Sequence, residues 1–419
     1  MKIAVVPDAH LNKSVYKGVM DRELSMLPFR NVDFMKSFEW MVSKCIDELH
    51  PDLFVIPGDV YDNFDPSNEV RGFFSAQLKR LISSKIPVII LIGNHDVCMK
   101  HHALKDLQEL KLKNVKVLEK PWIWEFKGTN LLFFPYSLDI EQKKVTIKEE
   151  FNKFLDEVHE VENDNPSVFF GHFGVKGAKI SEYVAKTDVT DSTTTEVPES
   201  MIKDYLNQSD HDISVSDLDK IGAKHVILGD FHSFQTLPTK KCFSMYPGSI
   251  ERASFSEAEQ KKGFVLYDSE AAYLDKMGKC KFIEYPSCRP MLELKGNFTK
   301  IRKRFQECDY SKYQDAIVKI NFIGNSDELF EFSTNLEAFK KDIREKINPI
   351  HLFHEQKVKN EELEEEATKL EEKILSEGHM TEQDVIDVVE EIITERVEDK
   401  DEFKATMDLA ISIRKEMVE

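Results

Sequence analysis

The chain has no CxxC pair; its six cysteines, Cys45, Cys98, Cys242, Cys280, Cys288 and Cys308, are scattered. That spacing is explained better by free thiols in a reducing compartment than by a thiolate zinc site or a disulfide framework. It also lacks any apolar run near the roughly 18 residues that a membrane span needs. The start, MKIAVVPDAH, has neither the apolar core nor the cleavage site of a secretory leader. A cytoplasmic protein with no membrane contact is expected. Positive charge is scarce as well: 57 Lys and Arg against 76 Asp and Glu leave a net charge of −19. Such a balance speaks against a nucleic-acid partner, which usually meets a basic face. The acidic excess is uneven, however, with 361–402 overwhelmingly acidic. Bound divalent cations would also reset the local potential.

What is present is 419 residues, 41% hydrophobic and 32% charged, the composition of a globular protein of two or three domains. The pattern predicts a strand at 2–6, a helix at 34–49, a strand at 53–56, a helix at 70–83 and a strand at 87–91. Further strands are expected at 130–135, 167–170 and 223–228, with 244–247 and 263–268 in a second sheet. Polar motifs close the strands, as ligand-binding loops do in an α/β sheet. A Thr-, Ser- and Asp-rich stretch at 187–217 reads as a long loop. From about 286, strands at 291–295 and 316–322 alternate with helices at 298–307 and 336–347. Beyond Pro349 a charged, helical chain is expected to the end. Its apolar stripes fall on Val385, Val388, Val389, Ile392 and Ile393, then on Phe403, Met407, Ala410 and Ile411.

Five motifs stand at strand ends: Asp8-Ala9-His10, Gly58-Asp59-Val60-Tyr61-Asp62, Gly93-Asn94-His95-Asp96, Gly171-His172 and Gly229-Asp230-Phe231-His232. Each alone is weak, because such tripeptides arise by chance. All five in order, each after an apolar run, point to one site. In an extended segment residues i and i+2 share a side, so Asp8 with His10 and Asp230 with His232 are expected to aim together. Imidazole, carboxylate and amide oxygen suit Mn²⁺ or a similar ion. Two such ions roughly 3.5–4 Å apart would grip a phosphodiester and activate water.

In this order the motifs resemble the calcineurin-like metallophosphoesterase superfamily over roughly the first 235 residues. A second stretch, Tyr246-Pro247-Gly248-Ser249-Ile250-Glu251-Arg252, with Phe255, Glu257 and Lys262-Gly263-Phe264, resembles the closing segment of SbcD-type nuclease subunits. The resemblance implies an α/β fold: a two-sheet sandwich flanked by helices (1–285), a small α+β cap domain (286–349) and an acidic linker with a helical tail (350–419). It implies two divalent metal ions, Mn²⁺ or Mg²⁺. One would be held by Asp8, His10 and His232, with Asp59 bridging to the other, which would take Asn94, His172 and Asp230. His95 would face the scissile phosphate and Asp96 would orient it. Position 230 departs from the family's His-x-His, and a carboxylate there is expected to preserve the site while altering metal preference.

The implied activity is hydrolysis of DNA, as a double-strand exonuclease and single-strand endonuclease, inside a bacterial or phage-infected cell. The implied partners are DNA, an SbcC-like ABC-type ATPase docked by the C-terminal region, and a second copy bound through helices such as 70–83. Lys111, Lys113, Lys116, Lys240, Lys241, Arg302, Lys303 and Arg304 are candidate phosphate contacts. Trp122 and Trp124 read as core packing. Two alternatives stand: a phosphatase or phosphodiesterase for small substrates, and a catalytically weak scaffold for the ATPase.

Overall fold

The computed structural model describes residues 1–13, 27–161, 165–176, 178, 213–274 and 277–358. The expected loop at 187–217 falls largely outside them, and the C-terminal stripes wholly so. Two compact units are present: Met1–Glu293 with Asp309–Lys319 and Lys341–Phe353, and Leu294–Cys308 with Ile320–Lys340 and the chain from His354.

The first unit is built on two six-stranded sheets. One contains β1 (Lys2–Val5), β2 (Leu53–Pro57), β3 (Val88–Leu91), β4 (Val115–Leu118), β11 (Gly263–Asp268) and β12 (Cys280–Glu284), in the order β12-β11-β1-β2-β3-β4. The other contains β5 (Trp122–Phe126), β6 (Thr129–Phe134), β7 (Ser167–His172), β8 (His225–Gly229), β9 (Gln235–Leu237) and β10 (Phe243–Tyr246), in the order β9-β10-β8-β7-β6-β5. Period-2 alternation divides each strand between two cores. Ile3, Val5, Leu53, Val55, Ile89 and Leu91 meet Leu131, Phe133, Val168, Phe170 and Ile227 between the sheets. The alternate residues Ala4, Phe54, Ile56, Val88 and Ile90 share a core with Phe38, Met41, Phe74 and Leu78 of the helices α1 (Phe29–Lys44) and α2 (Asn68–Ser83). Leu132, Phe134 and Phe169 do the same with Phe151 and Phe154 of α3 (Ile147–His159). Burying each such side chain contributes about 1.5–3 kcal/mol. This is a mixed α/β fold, a two-sheet sandwich with helices against its outer faces.

Three expectations change. The 263–268 strand belongs to the first sheet, because it pairs antiparallel with β1 from Lys2↔Asp268 to Val5↔Val265. Helix α1 begins at Phe29 rather than 34, since Arg30 and Asp33 are buried as an ion pair that apolar periodicity does not register. The chain after Pro349 starts as a strand, His351–Val358, where a helix was expected. Its approach is anchored by Ile350 N–H donating to Ala316 O at 3.0 Å, and Phe353 packs with Phe29, Met291 and Ile317.

Later in the chain, β13 (Met291–Gly296), β14 (Ile317–Gly324) and β15 (His351–Val358) form a three-stranded sheet in that order, and helices α4 (Phe298–Gln306) and α5 (Ser326–Ile347) lie between them in sequence. Within the second unit, Phe298, Phe305, Phe322, Phe332 and Phe339 make ring contacts at 4.6–6.0 Å. No helix among the described residues is long and apolar enough to cross a membrane.

Candidate metal centre

Strands β1, β2 and β3 are mutually parallel, as are β7 and β8, so all five motif loops leave the carboxyl ends of parallel strands. The loops are stitched together by their backbone amides. His10 N–H donates to Asp59 O at 3.0 Å and Leu11 N–H to Val60 O at 2.9 Å, joining the first loop to the second. Asp96 joins the second to the third, accepting from Val60, Tyr61 and Gly93 N–H at 3.0–3.2 Å. Asp230 N–H donates to Asp8 Oδ1 at 2.9 Å and joins the fifth to the first.

Side-by-side projection from an extended strand is not how Asp8 and His10 reach the site. Strand β1 ends at Val5, and Asp8, His10 and Asp59 take left-handed backbone with φ of 45°, 39° and 49°; Asp230 has φ of 110°. Left-handed turns cost non-glycine residues free energy and persist only where the surroundings fix them. Here the inter-loop hydrogen bonds do so. Two glycines serve by close approach. A Cβ on Gly93 would lie 2.1 Å from Asp59 Oδ1, and one on Gly58 would lie 2.0 Å from His172 Nδ1.

The side chains converge on Asp59. His10 Nε2 is 3.6 Å from Asp59 Oδ2, and His172 Nε2 is 3.3 Å from Asp59 Oδ1. On one side, the Nε2 atoms of His10 and His232 are 2.9 Å apart. On the other, His172 Nε2 is 2.9 Å from Asn94 Oδ1, and its Nδ1 donates to the Pro57 carbonyl at 2.8 Å. Asp8 Oδ1 is 3.8 Å from His172 Nδ1. Asp230 acts on the His172 ring through its charge. Six of the seven expected ligand residues are tied by side-chain contacts, while Asp230 meets them through its backbone N–H on Asp8; the groups able to hold an ion are Asp8–Asp59–His172 and His10–Asp59–His95, the second including His95, where no ligand was expected.

Burial sets the electrostatics. It pushes Asp8 up to about 7, opposed by His172, and His10 down to about 4. Burial works against charge on His172 too, but Asp59, then Asp8 and Asp230, outweigh it and raise that imidazole to about 10. Asp59 is buried as well, yet His172 holds it well below the usual carboxylate range. The donor set fits divalent cations. Asp8 Oδ2 is buried with no hydrogen-bond partner among the described residues, close to the second buried carboxylate, Asp59. A cation satisfies such an arrangement.

His95 is exposed at the mouth, with its ring 4.9 Å from that of His10. Its Nδ1 donates to Asp62 O at 3.0 Å, and one of its ring nitrogens lies within 4.8 Å of ligand atoms of His10 and Asp59. The Asp96 carboxylate binds the three loop amides rather than the His95 ring, so the orientation expected of it comes from the Asp62 carbonyl. Asp62 also places Oδ1 3.3 Å from His10 Nδ1 and 2.5 Å from Lys13 Nζ. Of the candidate DNA contacts, Lys116 lies over the Trp122 ring at 3.4 Å, and Lys111, Lys113, Lys240, Lys241, Arg302, Lys303 and Arg304 are exposed. Trp122 and Trp124 stack at 5.4 Å and pack against the inter-sheet core. His102 is buried against Glu119 at 2.8 Å.

Two residues quoted only as part of the closing segment reach the centre. Glu257 Oε1 is 3.2 Å from His232 Nδ1, and Lys262 Nζ donates to His232 O at 2.8 Å. A carboxylate 25 residues and an ammonium 30 residues from the ligand carry no local signal of this contact.

The calcineurin-like phosphoesterase family matches residues 1–234. The chain is similar to the SbcD subunit of the nuclease SbcCD from Staphylococcus epidermidis, 23% identical over 330 residues, covering 71% of this chain and 81% of the relative. The protein of the same name from Staphylococcus saprophyticus is 25% identical over 266 residues, covering 59% of this chain and 62% of the relative, just under two thirds of its length. Among solved structures, phosphopantetheinyl hydrolase from Mycobacterium tuberculosis overlaps with a TM-score of 0.32 at 14% identity, over 59% of this chain and 90% of that one. With a match over more than half of its residues and metal-ligand groups at the strand ends, the chain belongs to the calcineurin-like phosphoesterase family, whose members are metal-dependent hydrolases.

Proposed function

We propose that the chain is a DNA nuclease, the hydrolytic subunit of a complex with an SbcC-like ABC-type ATPase. The observation that carries the reading is Asp59, placed within 3.6 Å of imidazoles on either side, as a carboxylate bridging two cations must be. The choice of DNA over a small ester rests on the Tyr246–Phe264 segment and on the names of the relatives. Asp8, His10 and His232 would hold one ion, Asn94, His172 and Asp230 the other, with Asp59 shared. Two bound divalent ions, Mn²⁺ by preference, supply charge neutralisation and an acidified water. With one proton held by Nδ1 on the Asp62 carbonyl, the His95 imidazolium would carry its second proton on Nε2 and give that one to the leaving oxygen, returning to the neutral Nδ1–H ring. Asp96 is a positioning residue for the loops. The division 1–285, 286–349 and 350–419 goes with this reading, the last piece docking the ATPase and 70–83 pairing two copies.

A catalytically weak scaffold is the second reading, favoured by Asp230 and the third carboxylate it adds beside Asp8 and Asp59. One assay separates them. Full-length protein with Mn²⁺ receives linear duplex DNA, circular single-stranded DNA and a phosphomonoester, with and without the ATPase. DNA cleavage that vanishes in His95→Ala at unchanged metal content supports the nuclease. Turnover of the monoester alone makes it a phosphatase, and full metal loading without turnover makes it a scaffold.

A further inference from the structure

One buried ion pair lies against the metal centre without a part in the hydrolytic scheme. Glu257 and Lys262 are 6% and 1% exposed. Glu257 Oε2 accepts from Lys262 Nζ at 2.6 Å and from Ala253 N–H at 3.0 Å, while Oε1 lies 3.2 Å from His232 Nδ1. Lys262 Nζ donates in turn to His232 O at 2.8 Å, Ser249 Oγ at 2.9 Å and Gln260 Oε1 at 3.1 Å. Ser249 N–H donates to the same His232 carbonyl at 3.1 Å. His232 is thus gripped twice, at its ring by Glu257 and at its main chain by Lys262, and the two grips are bonded to each other.

The chemistry of that contact is directional. A carboxylate only accepts, so the His232 proton sits on Nδ1. The Nε2 lone pair then faces the His10 ring, 2.9 Å away. Imidazoles that bind metal through one nitrogen commonly anchor the other on a carboxylate, which fixes the tautomer and ring orientation.

We propose that Glu257, locked by Lys262, is a positioning residue for the metal centre, fixing the His232 ring so that one of the two cations binds tightly. The inference rests on the two-cation reading above. It makes the 246–264 segment part of the metal site although none of its side chains is a ligand. The contacts of the pair run to the His232 side, so the effect falls on one cation and spares the one beside Asn94 and His172.

The test uses the full chain, stripped of metal and titrated with Mn²⁺, with free Mn²⁺ read by electron paramagnetic resonance. Two variants replace the pair without leaving a lone buried charge. Glu257→Leu with Lys262→Met removes the acceptor; Glu257→Gln with Lys262→Met keeps a carbonyl oxygen for the ring proton. The first is expected to weaken one Mn²⁺ by about 10–100-fold and leave the other unchanged, and the second to recover most of that loss. In a His232→Ala background the Leu/Met change is expected to add nothing further. Wild-type affinity for both ions in the Leu/Met chain overturns the proposal. So does equal loss in both variants, and so does a Leu/Met chain that fails to fold, which assigns the pair to stability alone. A wild-type chain that binds fewer than two Mn²⁺ sinks the two-cation reading itself, and needs no variant to show it.

Discussion

Adding one methyl group at Gly93 puts a carbon 2.1 Å from Asp59 Oδ1 and 2.3 Å from Asp59 N, contacts that neither atom can yield easily. Gly93→Ala is therefore expected to push the shared carboxylate aside and cost about 1–3 kcal/mol of stability by overpacking. Calorimetric titration with Mn²⁺ should show both ions weakened, and unchanged binding would contradict the placement of Asp59 between them. His95→Ala removes an exposed ring whose hydrogen bond goes to the Asp62 carbonyl. DNA hydrolysis is expected to fall about 10²–10⁴-fold, the usual worth of a general acid, while Mn²⁺ content stays constant. Away from the centre, His225 is buried, which lowers it to about 4, and its Nε2 accepts from Lys279 N–H at 3.0 Å. Its unfolded value is near 6.5, so between pH 6.5 and 4 the unfolded chain takes up the extra proton. Stability is expected to be full above that window and to decline as pH falls through it. His225→Gln keeps an acceptor without the titration, so its urea midpoint should fall less steeply across this range than the wild type's.

At the level of elements, the start of α1 shows what periodicity misses. Asp33 receives Arg30 Nη1 at 2.6 Å and Arg289 Nη2 at 2.5 Å, so one carboxylate holds two guanidinium groups where the helix meets the approach to β13. Asp33→Leu strands both cations, and breaking a buried pair from one side costs about 3–5 kcal/mol. Urea denaturation should register a loss of that size; less than about 1 kcal/mol would mean the network is solvated. Some elements had signals that periodicity alone passes over. Helix α3 begins with a capping box at Thr146 and Glu149, and carries Ile147, Phe151, Phe154 and Leu155 at helical spacing. Helix α5 extends back to Ser326 behind Asn325, whose Oδ1 accepts from Glu328 N–H at 3.0 Å while Glu328 Oε2 accepts from Asn325 N–H at 3.1 Å. Strand β15 had none, because its partner is a neighbouring strand and its sequence HLFHEQKV is mostly polar.

For the molecule as a whole, a net charge of −19 and the buried Asp8 and Asp59 at the centre lead to the expectation that bound cations stabilise the fold. Native protein alone assembles the centre, so Mn²⁺ should stabilise it by about 2.7 kcal/mol per site at a hundred times the dissociation constant. Calorimetric scans should then show a concentration-dependent rise in Tm that EDTA reverses. An identical Tm with and without Mn²⁺ would falsify the metal centre.

The sequence by itself determined the strands that bracket the motifs, the mixed α/β class and the seven ligand candidates. The strands and the class follow from short-range rules, alternation of apolar residues and polar residues placed where strands stop; the seven ligand candidates came from the resemblance that the five motifs carry. Tertiary structure alone decided which sheet 263–268 joins, how left-handed loops rather than strand geometry aim Asp8 and His10, and that Asp96 serves the backbone. It also decided that Glu257 and Lys262 close on His232. Each of these depends on a partner dozens or hundreds of residues away, and a hydrogen bond across that distance leaves no periodicity for a local pattern to detect.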